Sequence, residues 1–179
     1  YTTNPKNRCY FCKTEVYGAA RRFATEHDFA VVVDGFNLDD RGDHRPGRKA
    51  AKELGVRSPL DDHGFTKADI RAAAHALGLP VWDKPALACL SSRFPYGTEI
   101  TAARLAQVAA AERALRALDF RVVRVRWFGE EASLEVGQDE LPRARDLFDE
   151  IESALRATGF HTVHLDPNGY RKGRLNLLP

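Results

Sequence analysis

The run Ala30-Val31-Val32-Val33 constrains this chain most: four apolar residues without polar alternation, closed by Asp34-Gly35. Such a run reads as a short strand buried on both faces of a parallel sheet. Its surroundings agree. Cys9 to Thr25 carries aromatic and alanine residues at helical spacing behind a start signal, Asn4-Pro5-Lys6-Asn7. After Gly64 a second helix is expected over Thr66 to Leu77, and Leu79-Pro80-Val81-Trp82 comes after it as the next short strand. An αβαβ succession implies an α/β fold with a parallel sheet, and places the polar residues after Val33 at the carboxyl edge, where open sheets bind ligands.

From Thr101 the pattern changes. A long alanine-rich helix to Leu118 precedes strands at Arg121 to Trp127 and Ala132 to Val136, a helix at Leu141 to Ala157, and a strand at His161 to Leu165. Gly129-Glu130-Glu131 reads as a hairpin between the central strands. The second part is therefore a small α+β domain. The boundary is expected near Tyr96-Gly97-Thr98, giving domains 1–97 and 98–179, and Arg41 to Arg57 reads as a polar, mobile connection.

No stretch approaches the roughly 20 apolar residues needed to span a bilayer, and no signal peptide opens the chain. With 27 basic and 25 acidic residues, the net charge of +2 gives no argument for nucleic acid. Three cysteines in 179 residues fit a reducing cytoplasm better than a disulfide framework. Tyr1 stands where an initiator methionine would, so the chain is expected to begin partway through a longer protein.

Cys9 and Cys12 lie one helical turn apart, so both sulfurs face the same way, as ligands of one centre must. Arg8 and Lys13 beside them favour thiolates. Metal or cluster ligation, buried packing and an exposed redox pair all remain open for this pair. Cys89 stands alone, and a lone cysteine is more often a small core residue. Its loop, with Ser91, Ser92, Arg93 and Tyr96-Gly97, is polar, and Arg93 can stabilise a thiolate or an incoming phosphate. Asp34, Asn37, Asp39 and Asp40 crowd oxygen donors after the first strand, suited to Mg²⁺ or ribose hydroxyls, or else form a solvated acidic turn. Arg45-Pro46-Gly47-Arg48-Lys49 could clamp a phosphate or be a solvated loop. The six histidines show no shared ligand spacing.

Four motifs occur in order: Asn4-Pro5-x-x-Arg8-Cys9-x-x-Cys12-Lys13; Asp34-Gly35-x-Asn37-x-Asp39-Asp40-x-x-Asp43-x-Arg45-Pro46-Gly47; Phe65-Thr66-Lys67-x-x-Ile70-Arg71; and Cys89-Leu90-Ser91-Ser92-Arg93-Phe94-Pro95-Tyr96-Gly97-Thr98. The closing Leu165-Asp166-x-x-Gly169-Tyr170-Arg171-x-Gly173-Arg174-Leu175-Asn176 continues the pattern. Together they resemble the LarE family, ATP-dependent sulfur transferases of the PP-loop pyrophosphatase superfamily that make the nickel-pincer nucleotide cofactor of lactate racemase and related enzymes.

The resemblance implies a partial PP-loop domain followed by a substrate and oligomerisation domain in a cytoplasmic homo-oligomer. The substrate would be a pyridinium-3,5-biscarboxylic acid mononucleotide, adenylated by ATP with Mg²⁺ and converted to a thiocarboxylate. Asp34, Asn37, Asp40, Lys67 and Arg93 resemble nucleotide-site residues. Arg124 and Arg126 alternate with Val123, Val125 and Trp127, which sends both guanidiniums to one strand face. With Glu135 they resemble the family's substrate site, although a solvated sheet face would read the same way. Lys67 and Arg71 could lie near the nucleotide or form an exposed pair, and Tyr170 to Arg174 could complete an anion site or be a basic tail.

Two sulfur sources are open. Cys89 could be consumed as a sacrificial donor, leaving dehydroalanine; or Cys9, Cys12 and Cys89 could hold a [4Fe-4S] cluster with one iron open to an extra sulfide, the route this three-cysteine chain favours. The Ser-Gly-Gly-x-Asp-Ser loop that grips pyrophosphate in the superfamily is missing and is expected upstream of Tyr1, so these residues alone are expected to be inactive or very weakly active. The alternatives are a tRNA-thiolating PP-loop enzyme, which calls for a basic stripe or an RNA-binding module, and a non-catalytic zinc module using the three cysteines and a histidine.

Overall fold

A computed structural model describes residues 1–42, 46–85 and 87–171. The expectations for Arg45, Lys172, Gly173, Arg174, Leu175 and Asn176 lie outside the described residues. The chain divides into two compact units: Tyr1 with Pro5–Lys84, and Thr2–Asn4 with the chain from Pro85 onward.

The first unit is built on a long helix, α1 (Arg8–Glu26). A short 3-10 turn at Leu38–Asp40 leads to α2 (Gly47–Glu53), α3 (Pro59–Asp62) and α4 (Lys67–Ala76). The Arg41 to Arg57 segment, expected as a mobile connection, therefore contains a helix. It folds because Ala50 and Ala51 are completely buried and Tyr17 packs with Ala51 and Val56. Gly47 lets α2 approach closely, since a Cβ there would stand 2.7 Å from Lys13 Cγ and 3.3 Å from the Cys9 carbonyl. Tyr10 Oη donates to Glu53 at 2.7 Å and Arg21 to the Leu54 carbonyl at 2.9 Å, tying the helices together.

The expected parallel sheet is not formed in this unit. Among the described residues Val33 makes one isolated parallel bridge to Arg57, and Leu79 to Trp82 forms no strand. A strand exists through its neighbours: with only Arg57 beside it, Val31 and Val33 are 49% and 56% exposed. For the same reason α4 buries none of its residues. Its start is nevertheless set locally, by a capping box between Thr66 and Asp69.

The second unit matches the expected α+β pattern closely. α5 (Ala102–Ala117), whose Thr101 side chain caps Arg104 N, leads to β1 (Val123–Phe128) and β2 (Glu131–Val136). Gly129, with φ +74°, makes the hairpin turn between them. α6 (Leu141–Asp146), α7 (Phe148–Arg156) and β3 (Thr162–Leu165) complete it. The sheet order is β1-β2-β3, antiparallel then parallel. The single helix expected over Leu141 to Ala157 is broken at Leu147, whose backbone (φ −98°, ψ 18°) leaves helical geometry.

Its core joins Val108, Ala111 and Leu115 of α5 with Val123, Val125, Leu134 and Val136 of the sheet and Ile151 and Leu155 of α7. Phe94, completely buried, belongs to it. The division between units therefore falls at Lys84/Pro85 rather than at Tyr96-Gly97-Thr98, because the cysteine loop packs with α5 and the sheet. Asn4 joins from the other side: its Nδ2 donates to the Pro95 carbonyl at 2.6 Å and its own carbonyl accepts from Gly97 N at 3.0 Å. The mixed α/β class is as expected, with a three-stranded sheet and seven α-helices among the described residues. No described helix is long and apolar enough to cross a membrane.

Candidate active site

Alternation on β1 sends Val123 and Val125 into the core and Arg124 and Arg126 to the opposite face. That face is covered, not solvated: Arg124 is 3% exposed, Arg126 7% and Glu135 0%. Charged groups so far from water need partners. Arg126 meets Glu135 diagonally across the two strands in a bidentate pair, Nε–Oε1 3.0 Å and Nη2–Oε2 2.7 Å, and its Nη1 donates to the Ser92 carbonyl at 2.7 Å.

A second bidentate pair lies beside the first. Arg93, at the end of the short turn Leu90–Arg93, meets Glu112 of α5, both side chains 1% exposed. Glu112 Oε1 also accepts from Val125 N at 3.2 Å, and Oε2 from Arg116 Nη2 at 3.1 Å. Sequence reasoning missed Glu112. The available signal was its place on the apolar face of α5, four residues after Val108 and three before Leu115, where a lone carboxylate demands a partner.

The remaining Arg93 donor organises the cysteine loop. Nη1 donates to the carbonyls of Ala88 and Cys89, each at 3.0 Å, and to Ser92 Oγ at 2.9 Å. Ser92 adds two donors to the Cys89 carbonyl, its N at 3.0 Å and its Oγ at 2.8 Å. The Cys89 main chain is thus pinned while its side chain is exposed.

Arg124 donates to the Val123 carbonyl at 2.7 Å, and its guanidinium lies 4.9 Å from the centre of the Tyr170 ring. Burial, then the nearby Arg93 guanidinium, pulls its pKa below the ordinary arginine value, though arginine remains charged. Arg93, Arg124 and Arg126 are buried guanidiniums in the same unit as the buried carboxylates of Glu112 and Glu135, and guanidiniums are the groups that bind a carboxylate or phosphate in bidentate fashion.

The first unit holds the other predicted residues. Asp34 accepts from Tyr17 Oη on Oδ2 at 2.8 Å, and from Ser58 Oγ at 2.6 Å and Phe36 N at 3.2 Å on Oδ1. Burial alone would raise its pKa, but the hydrogen bonds from Ser58, Tyr17 and Phe36 N, with Arg48, hold it below the usual value. Burial and the Asp34 bond push Tyr17 up to about 12. Asp34 thus ties α1 to two loops. Arg48 hydrogen-bonds Ser58 and reaches Asp61 at 3.2 Å, while Arg41 pairs with Asp61 at 2.6 Å.

Asn37 donates its Nδ2 to Asp40 Oδ2 at 3.0 Å, yet its Oδ1 is buried with no hydrogen-bond partner, an acceptor suited to a ribose hydroxyl or a hydrated cation. Asp40 Oδ1 pairs with Lys67 Nζ at 2.9 Å, so three of the predicted nucleotide residues adjoin one another. Arg71 instead donates to the Lys84 carbonyl at 2.8 Å. Cys9 and Cys12 are half-buried in the first turns of α1, and a cleft of about 520 Å³ opens beside Cys12, lined by Tyr1, Tyr10 and Phe11 among others. Cys89 belongs to the second unit. Among the described residues no group of three His, Cys, Asp or Glu side chains is placed to hold one metal ion.

The chain is 40% identical over 97% of its length to the pyridinium-3,5-bisthiocarboxylic acid mononucleotide synthase of Lactiplantibacillus plantarum, a LarE protein. This chain belongs to the LarE family. It is also 45% identical over 98% of its length to an uncharacterised protein of Synechocystis sp., and 31% identical over 94% to one of Methanocaldococcus jannaschii. The LarE-family chain spans 66%, 63% and 66% of the Synechocystis, Lactiplantibacillus and Methanocaldococcus proteins respectively. No protein-family model matches it.

Proposed function

We propose that this chain takes part in ATP-dependent sulfur transfer to a pyridinium-3,5-biscarboxylic acid mononucleotide, yielding thiocarboxylates for the nickel-pincer nucleotide, with its first unit the later part of a PP-loop domain in a cytoplasmic enzyme. One observation carries this reading: Arg93 grips the main chain of Cys89 with one nitrogen and is paired through Glu112 beside Arg124 and Arg126 with the others. Arg93 thus fixes the sulfur-bearing loop to Glu112 of α5, which also accepts from Val125 N of β1, the strand that carries Arg124 and Arg126.

The chemistry asks for that arrangement. A carboxylate repels nucleophiles; joined to AMP, with pyrophosphate released, it becomes a neutral acyl group with a good leaving group. Sulfur then forms the C–S bond as the C–O bond to AMP breaks. Arg124 and Arg126 hold the substrate's negative charge, Glu135 fixes Arg126, and Asn37 Oδ1 with Asp40 and Lys67 would receive Mg²⁺ and nucleotide. A [4Fe-4S] cluster on Cys9, Cys12 and Cys89 would supply sulfide at an open iron. The second reading makes Cys89 itself the donor, favoured by its exposed thiol.

Titration of the 179-residue chain with the biscarboxylate mononucleotide tests the patch. Arg126→Gln should weaken binding about tenfold, as removal of a charged hydrogen bond does; unchanged affinity would sink the assignment. Anaerobic purification with iron and sulfide assays, and protein mass before and after turnover, separates the donors, because sacrifice of Cys89 leaves a protein lighter by one H₂S.

A further inference from the structure

Glu112 gathers donors from three segments of the second unit. Arg93 Nε and Nη2, from the turn after Cys89, reach its two oxygens at 2.6 and 3.0 Å; Val125 N of the edge strand β1 reaches Oε1 at 3.2 Å; and Arg116 Nη2 of its own helix reaches Oε2 at 3.1 Å. The carboxylate stands on a fixed post, since Val108, Ala111 and Leu115 of α5 are completely buried. Through Arg93 its hold extends further. With Nε and Nη2 both occupied by Glu112, the guanidinium plane is set, and Nη1 is aimed at the carbonyls of Ala88 and Cys89, each at 3.0 Å, and at Ser92 Oγ at 2.9 Å.

Stability alone does not account for such a pair, because well-packed apolar side chains in place of a buried ion pair hold a core as well or better. What apolar side chains cannot do is accept from a strand N–H and donate to two loop carbonyls. Val125 lies between Arg124 and Arg126 on β1, so these bonds tie the main chain of the Cys89 loop to the strand position between the two arginines. We propose that Glu112 is a positioning residue for sulfur transfer: acting through Arg93, it holds the Cys89 main chain in one place relative to β1, so that the thiol is presented from a fixed point. The inference rests on the reading of Cys89 as a sulfur-handling residue. A reacting group held beforehand spares the reaction the cost of ordering it. Cys89 is where such help counts, because its side chain is exposed and its residue belongs to a loop.

The test uses the 179-residue chain and separates positioning from stability with the paired replacement Arg93→Met and Glu112→Leu, which removes the polar links while filling their space. Its urea midpoint should stay close to that of the unsubstituted chain, yet the Ser92 N–H, bonded to the Cys89 carbonyl at 3.0 Å, should exchange with deuterium about tenfold faster. With Cys9→Ser and Cys12→Ser in both chains, a nitroxide on Cys89 should pass from an ordered to a mobile spectrum. With all three cysteines present, iron reconstituted anaerobically should be held about tenfold more weakly by the paired variant, as when the support of a metal ligand is lost. Unchanged Ser92 exchange, an ordered nitroxide, or iron held as tightly as before overturns the role of Glu112. Absence of iron from the unsubstituted chain, with no loss of mass at Cys89 on turnover, overturns instead the sulfur reading beneath it. Should the paired variant fail to fold, Glu112→Asp, which keeps the charge but withdraws the carboxylate by one carbon, decides: a nitroxide spectrum as ordered as before overturns the proposal.

Discussion

Arg93 and Glu112 face one another in a bidentate pair, Nε–Oε1 at 2.6 Å and Nη2–Oε2 at 3.0 Å, sealed from solvent between a loop and a helix. Removing one partner strands the other. Glu112→Gln should destabilise the second unit by about 3–5 kcal/mol in urea unfolding, whereas the paired replacement Arg93→Met with Glu112→Leu should recover much of that loss. A loss below about 1 kcal/mol for the single change would mean that the pair is solvated.

Tyr17 and Asp34 give the first unit two pH limits of opposite sign. Tyr17 keeps its proton to about pH 12 in the folded chain, whereas an unfolded tyrosine titrates near 10. Its contribution is complete below about pH 10 and is lost as pH rises through 12. Asp34 is shifted down, so its contribution is present above about pH 4, the unfolded value, and is lost as pH falls through the lower folded value. Tyr17→Phe should flatten the alkaline limb of unfolding free energy against pH; a limb that stays as steep would refute the assignment.

Cys12→Ala should abolish iron and acid-labile sulfide in anaerobically purified protein. Retained colour would refute the ligand role, and colourless protein with stoichiometric zinc would favour the zinc module.

Asn37→Asp puts a carboxylate 3.0 Å from Asp40 in place of a donor. The lost hydrogen bond and the repulsion should cost about 1–3 kcal/mol without divalent cation. Millimolar Mg²⁺ should restore part of it, as read by melting temperature; no response to Mg²⁺ would count against cation binding there.

Local signals were readable in the sequence. Thr66 and Thr101 cap the helices that begin just after them, and the Val123 to Trp127 alternation gave the face shared by Arg124 and Arg126. What could not be read depends on residues distant along the chain. Nothing near Arg124 says that its face is covered, since the cover includes Tyr170 and the turn holding Arg93. Asp34 looked like an open ligand because its donors come from Tyr17 and Ser58. Val31 to Val33 have strand composition, but a ladder needs a neighbour, and Arg57 supplies a single bridge.

Among the described residues, the hydrogen bonds that Cys89 receives from Ser92 and Arg93 all end on its main-chain oxygen. An alanine, a serine or an alkylated sulfur could therefore replace the native side chain and leave the loop's outline as it is. Chemical probes at that position will report on sulfur reactivity alone, uncomplicated by collapse of the frame around it.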